Sequence, residues 1–244
     1  MEKVLEVKNL YVKFKKDKKP FYAVDNVSFD IKEGEILGLA GESGCGKSSL
    51  SRAILGIIKK NVTGEIIHYT KRPQMVFQDP AGSLNPGKRI GFILEEPLKI
   101  QGGFSKEERV SEVKNMLKLV DLPEDVLTRF PDELSGGQRQ RVCIAAALMQ
   151  KPKLLIADEP VSALDVTVQS QILELIKKLH KELNLSVLFI SHDLRVIYNL
   201  CDRVMVMKSG KIVDMGDKDE VFFNPKDLYT KVLMDAARTK YVKN

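Results

Sequence analysis

The chain switches between two periodicities. Along LEVKNLYVKF (5–14) and AVDNVSFDI (23–31) apolar residues recur at close to every second position, the period of a half-buried strand. GEILGLA (34–40), EIIHY (65–69) and PQMVFQ (73–78) also read as strands, the first buried and running into a glycine-rich loop. Helical spacing appears in SSLSRAILGII (48–58) and dominates from Ser83 to Gln150. Within that stretch Ser105 opens a helix and Glu108 stands three residues on, the pattern of a capping box. Val110, Val113, Leu117 and Val120 follow at helical spacing and are expected on its buried face. Strands return as KLLIA (153–157) and SVLFI (186–190), separated by the helical VTVQSQILELIKKLHKEL (166–183). Apolar strands alternating with helices predict a parallel sheet covered on both faces. The expected fold is therefore α/β: a core over 1–82 and 151–244 with a mainly β front, and a helical insertion over 83–150. Neither repeats nor low-complexity linkers interrupt the pattern.

Composition changes this picture little. The 244 residues suffice for one large domain or two small ones. With 43% hydrophobic and 30% charged residues the chain reads as a globular, water-soluble protein. Its longest apolar run, VCIAAALM (142–149), falls far short of the roughly 20 residues that cross a bilayer. The opening MEKVLEVKNL alternates charged and apolar positions, unlike a signal peptide, so an intracellular location is expected. Net charge is +6, with lysines crowded in VKFKKDKKP (12–20). That run is a solvated strand and turn, or a patch drawn to nucleic acid or an anionic membrane; charge alone leaves both open. Cys45, Cys143 and Cys201 are too widely spaced for a metal site, and a disulfide framework is not expected in a reducing compartment. His68 and His180 stand without metal-like neighbours.

Candidate chemistry starts where the first buried strand ends. Gly41, Glu42, Ser43, Gly44, Cys45, Gly46, Lys47 and Ser48 fit G-x-x-x-x-G-K-[ST] between a strand and a helix, with Ser49 next in the helix. Glycines let the backbone curl so that successive N–H groups point at phosphate oxygens. Lys47 adds a mobile cation, and the Ser48 hydroxyl suits Mg²⁺. In LLIADEP (154–160) an apolar strand delivers Asp158 to the carboxyl edge of the sheet, where a Mg²⁺ shell would lie, and Glu159 suits a general base for water. His192 ends another strand at such an edge and is a candidate for the γ-phosphate. A second glycine pair, in ELSGGQRQR (133–141), opens a helix and offers bare N–H groups to an anion.

The stretches GESGCGKS, FQDP, LSGGQ, LLIADEP, SALD and SHD stand in the order found in ATP-binding-cassette (ABC) ATPases, and the chain resembles that family from about residue 4 to 235. Within it, FQDPAGSLNP (77–86) and SALDVTVQSQIL (162–173) look like the ATPases of peptide and nickel importers. The resemblance implies a RecA-like P-loop core with an N-terminal antiparallel β subdomain and an inserted helical one, ATP and Mg²⁺ as ligands, and catalysis by Lys47, Gln78, Glu159 and His192. It implies two cassettes associated head to tail, each ATP lying between the glycine loop of one and Ser135, Gly136, Gly137 and Gln138 of the other. One chain would then carry two cradles because each serves a different nucleotide. Ser48, Gln78 and Asp158 would bind the metal, Asp165 would report across the dimer, and Phe14 would stack on adenine. Tyr11 and Tyr22 are alternatives for that last role, or Phe14 is a core strand residue.

The implied partners are a second ABC ATPase (a related chain or a copy), two transmembrane permease subunits docking on 79–103, and indirectly an extracytoplasmic solute-binding protein. No nucleic acid is expected, and the implied place is the cytoplasmic face of the membrane. An exporter or lipid-extracting ATPase shares every catalytic motif and is the alternative. Three features depart from the family pattern. The interval from Ser48 to Gln78 is short, so the β front is expected to be trimmed; Ala146 stands where arginine is common; and no cysteine-rich tail follows, so no iron–sulfur cluster is expected. Cys45, at a helix start, is expected to have a lowered pKa.

Overall fold

The computed structural model describes residues 2–16, 19–71 and 73–239; Asp17 and Lys18 of the lysine-rich run, and Arg72, lie outside them. The described elements run in chain order. Strands β1 (Lys3–Lys16), β2 (Lys19–Lys32) and β3 (Ile36–Ala40) lead to helix α1 (Lys47–Ile54), then strands β4 (Val62–His68) and β5 (Gln74–Val76). A helical stretch follows: α2 (Pro80–Ser83), α3 (Ile90–Gln101), α4 (Lys106–Leu119) and α5 (Gly136–Leu148). The chain continues as β6 (Leu154–Asp158), α6 (Val166–Leu183), β7 (Ser186–Ser191) and α7 (Leu194–Leu200). It closes with β8 (Arg203–Lys208), β9 (Lys211–Asp217), α8 (Lys218–Phe223) and α9 (Leu228–Thr239). The chain divides into two compact units, 1–71 with 186–244, and 72–185.

The first unit holds an antiparallel sheet in the order β2-β1-β4. Leu5, Val7, Leu10 and Val12 of β1 are all buried, although the step from Val7 to Leu10 breaks the two-residue period. A register shift between those two residues absorbs the odd step and returns Leu10 to the inner face. Asn9 accommodates it with a left-handed backbone (φ 46°), and its amide donates to the Asn26 side chain at 3.0 Å. Beside this lies β3, parallel to both β7 and β8, with β9 antiparallel to β8. Every residue of β3 and β7 is buried, as the unbroken apolar runs predict for strands covered on both faces. Gly38 admits α7 closely: a Cβ there would lie 2.9 Å from both Cys201 Sγ and Ile197.

In the second unit β5 and β6 pair in parallel, Met75 beside Ile156. Helix α6 turns Ile172, Leu175, Ile176 and Leu179 inward, an i, i+3, i+4, i+7 stripe. Ser105 and Glu108 form the expected capping box, with the Glu108 carboxylate accepting from the Ser105 N–H at 2.7 Å and the Ser105 hydroxyl from the Glu108 N–H at 3.1 Å. Val113, Leu117 and Val120 are buried as their spacing predicts, but Val110 is exposed, lying in the first turns above the packed face. Asp121 gathers three elements. Its carboxylate accepts from Arg141 of α5 at 3.3 Å and from Lys178 of α6 at 2.9 Å just after α4 ends. Those cations hold it below the ordinary carboxylate range, Lys178 foremost and against some burial.

Several expected bounds move. The helix expected over 48–58 stops at Ile54, because Gly56 turns the chain left-handed (φ 67°). The strand expected over 73–78 is confined to 74–76, and the one expected over 65–69 begins three residues earlier, at Val62.

Candidate functional site

In the first unit, β3 ends at Ala40 and the chain turns through Gly41 (φ 152°) and Gly46 (φ 117°) into α1. Only glycine fits at either point. A Cβ on Gly41 would sit 2.4 Å from the Met207 carbonyl oxygen, and one on Gly46 would sit 2.1 Å from that of Ala23. The turn between β8 and β9 holds the loop from below: the Gly210 N–H donates to the Cys45 carbonyl at 2.8 Å, and the Gly210 carbonyl accepts from the Asp25 N–H at 2.8 Å. Glu42, Ser43 and Gly44 form the exposed crest, while Ser48 and Ser49 are half-buried in the first turn of α1.

Lys47 is buried, and its ammonium donates to the carbonyls of Gly41 at 2.7 Å and Glu42 at 2.9 Å. The start of α1 has neither a side-chain cap nor an acidic residue in its first turn. Its leading N–H groups and its dipole are thus left to an external anion, with a lysine alongside. This arrangement fits a polyphosphate. Cys45 differs from expectation. Burial pushes its thiol above the ordinary value, outweighing the nearby Lys47 cation, so position at a helix start does not activate it.

His192 follows β7 directly and is exposed. Its neighbours fix the turn: the Ser191 hydroxyl accepts from the Asp193 N–H at 3.0 Å, and Asp193 caps α7 by accepting from the Arg195 N–H at 2.9 Å. Phe14 is 38% exposed and faces Phe21 across the β1–β2 ladder, so it is not a core residue. Tyr11 and Tyr22 meet edge to face at 6.1 Å, and the Lys13 ammonium lies 5.6 Å from the Tyr22 ring centre. His68 and His180 bond to the carbonyls of Ile54 and Leu185, which gives each a structural task.

In the second unit, β6 delivers Asp158 as a buried carboxylate at the strand end. Glu159 comes next with a left-handed backbone (φ 47°), uncommon for a residue with a side chain. Its carbonyl accepts from the N–H of Ser162 at 3.2 Å and from the Ser162 hydroxyl at 3.1 Å, which pins the turn. The Gln78 amide donates to the Glu159 carboxylate at 3.3 Å, so these two predicted residues are brought together. Asp165 caps α6, accepting from the Val168 N–H at 2.9 Å, and Gln169 donates to the carbonyls of Val161 at 2.9 Å and Leu164 at 3.0 Å. The 161–165 loop is thus tied to the helix that follows it.

The second glycine pair is built differently from the first. Ser135 caps α5 by accepting from the Gln138 N–H at 3.3 Å, while the Gln138 side chain accepts from the Ser135 N–H at 3.0 Å. Gly137 is required by packing, since a Cβ there would lie 2.7 Å from Val168. The S-x-x-Q spacing at 135–138 carries the capping-box signal in the sequence itself, alongside the glycines. Sequence reading also passed over the β8–β9 turn beneath the glycine loop, although Ser209-Gly210 between two alternating runs is a hairpin signal.

Residues 24–162 match the ABC transporter family, which is more than half of the chain, and the chain belongs to that family of ATP-binding, ATP-hydrolysing proteins. Among its relatives is the oligopeptide transport ATP-binding protein OppF of Haemophilus influenzae, 46% identical over 96% of this chain and 78% of that protein. The dipeptide transport ATP-binding protein DppF of Lactococcus lactis subsp. cremoris is 44% identical over 96% of this chain and 81% of its own length. A solved dimeric ATP-binding cassette in a post-hydrolysis state, bound to ADP and Pi, shares 32% identity with a TM-score of 0.77 over 88% of this chain and 98% of that one. The protein CbiO1 of Clostridium perfringens, part of an ABC transporter complex, shares 28% identity with a TM-score of 0.79 over 99% of both chains. These cassettes establish the α/β P-loop fold expected from the motifs. Among the described residues no helix is long and apolar enough to cross a membrane.

Proposed function

We propose that this chain is the ATP-hydrolysing subunit of a peptide importer, bound beneath two transmembrane permease subunits that a separate binding protein supplies with substrate. The observation that carries the proposal is the contact between Gln78 and Glu159 at 3.3 Å. Gln78 immediately precedes the segment 79–103, and Glu159 is the candidate base, so a partner that moves that segment would move a group bonded to the base. The relatives named for oligopeptide and dipeptide transport favour peptides as cargo over export.

The glycine loop 41–48 and Ser49 would hold the triphosphate, and Phe14 would lie against adenine. Ser48, Gln78 and Asp158 offer the hydroxyl, amide and carboxylate oxygens that suit Mg²⁺, which would screen the phosphate charge. Glu159 orients and deprotonates water, and His192 contacts the γ-phosphate. Helices 83–150 act as a subdomain that presents Ser135, Gly136, Gly137 and Gln138 to nucleotide held by a second cassette, and Asp165 lies at that boundary. The second cassette is a related chain or a copy of this one. ATP then joins the two, and its hydrolysis separates them.

The test is extraction of the complex in mild detergent, identification of copurifying chains, and ATPase assay with peptide-loaded binding protein. Two permeases and stimulated turnover are expected; copurification with an export adaptor and no response to a loaded binding protein overturns the proposal.

A further inference from the structure

Strands β1 and β2 run along helix α1 and continue past its start. At one end His68, paired with Leu5 of β1, bonds through its ring to the carbonyl of Ile54, the last residue of α1, at 3.0 Å. At the other end the Ala23 carbonyl of β2 stands at Gly46, the residue that caps the start of α1; a Cβ on Gly46 would lie 2.1 Å from it. Val12 and Val24, paired across the ladder at that point, are fully buried. One step further along the same face come Phe14 and Phe21, also paired, and 38% and 46% exposed. Phe21 is two residues from Ala23, so the aromatic pair sits about 7 Å beyond the point where β2 passes the glycine loop.

An irregular step in the ladder puts both rings there. Val12 pairs with Val24 but Lys13 pairs with Tyr22, so Ala23 is an extra residue on β2, a bulge. An unbroken ladder would set Phe14 opposite Tyr22. The bulge sets it opposite Phe21 instead and sends Tyr22 to the other face. There Tyr22 meets Tyr11 edge to face at 6.1 Å, and the Lys13 ammonium lies 5.6 Å from its ring centre. Tyr11 and Lys13 alternate with Val12 and Phe14 along β1, which places Phe14 and Phe21 together on the inner face. The bulged residue is also the one whose carbonyl meets Gly46, and the Asp25 N–H ties β2 to the Gly210 carbonyl at 2.8 Å. The device that aims Phe21 is therefore held against the glycine loop.

We infer that Phe21 is a second ring for the base of ATP, so that adenine lies on Phe14 and Phe21 together. The inference deepens, and rests on, the reading that Phe14 lies against adenine. Val12 and Val24 are sealed from water while the next pair on the same face is open to it, so the inner face ends in an aromatic surface left to a ligand. A purine has two fused rings and a flat π-face wider than one phenyl group, and stacking binds that face without reading its edge. Two phenyl groups side by side across a ladder match its breadth. Membership of an ATP-binding family supplies the occupant, and the glycine loop nearby takes its phosphates. Base and phosphates are then held by different residues, and their contributions can be measured apart.

The test uses the full chain and equilibrium titration with two probes: ATP, and inorganic tripolyphosphate, which carries the charge without the base. Phe21→Ala should raise the Kd for ATP about five- to tenfold, the lower range for base–aromatic stacking, and leave that for tripolyphosphate within about twofold. Phe21→Tyr keeps a ring in place and should bind ATP within about twofold of the unaltered chain. An unchanged ATP affinity in Phe21→Ala, or an equal loss for both probes, overturns the inference. So does a larger loss in Tyr22→Ala than in Phe21→Ala, since Tyr22 faces the other way. Phe14→Ala separates the inference from the reading beneath it. If Phe14→Ala weakens ATP binding and Phe21→Ala does not, one ring serves the base and only the role of Phe21 falls. If neither does, adenine lies elsewhere and the reading of Phe14 falls as well.

Discussion

Two helices of this chain begin with glycines, and the two starts are built to opposite plans. Helix α1 opens without a side-chain cap, and a lysine is folded into the loop before it. Helix α5 opens with Ser135 and Gln138 bonded to each other's main chain. The first leaves its N–H groups to an outside anion and brings its own cation. The second satisfies part of its N-terminus internally and brings no cation of its own within the motif 134–138. A site of the first kind can bind phosphate alone. One of the second kind is suited to join a phosphate already held by something else, which is the division of labour proposed for two cassettes sharing ATP.

The sharpest way to test that division is to stop hydrolysis and watch what stays together. Glu159→Gln should lower turnover by about 10²- to 10⁴-fold, the usual contribution of a general base, while retaining ATP binding. Size-exclusion chromatography with ATP should then show a stable pair of cassettes; near-normal turnover removes Glu159 from the role of base. Breaking the α1 side comes next. Lys47→Ala should weaken ATP binding to the isolated chain by about 10- to 100-fold through loss of a charge-assisted contact, read by equilibrium binding.

Ser135→Ala should leave that affinity unchanged, because α5 serves a different nucleotide. It should instead remove a helix cap worth about 1 kcal/mol and lower Tm by about 2–4 °C. Equal loss of affinity in Lys47→Ala and Ser135→Ala would erase the distinction between the two starts. The smallest effect is at Cys45. Its raised pKa keeps the thiol protonated at neutral pH, so alkylation should be slower than for an ordinary cysteine and still climbing beyond pH 9.0, the ordinary thiol value. A rate that levels off below that pH would show a thiolate activated by the helix start.

Much of this was legible in the residues because it is local. The capping box at Ser105, the bounds of α6 and the strand–loop–helix around Lys47 each follow from spacing within a few positions. Gln78 and Glu159 were singled out separately and meet in space. What escaped the sequence depends on distant partners. Cys45 reads as an activated thiol from its neighbours in the chain, yet the fold buries it and reverses the sign. Val110 fits the helical stripe but lies beyond what the helix packs against.

The left-handed backbone of Glu159 has a consequence of its own. A residue with a β-carbon held there gives up about 1 kcal/mol that glycine would recover. A chain carrying glycine at 159 should therefore melt later and hydrolyse almost nothing. At that turn durability and work pull against each other, and the fold has settled on work.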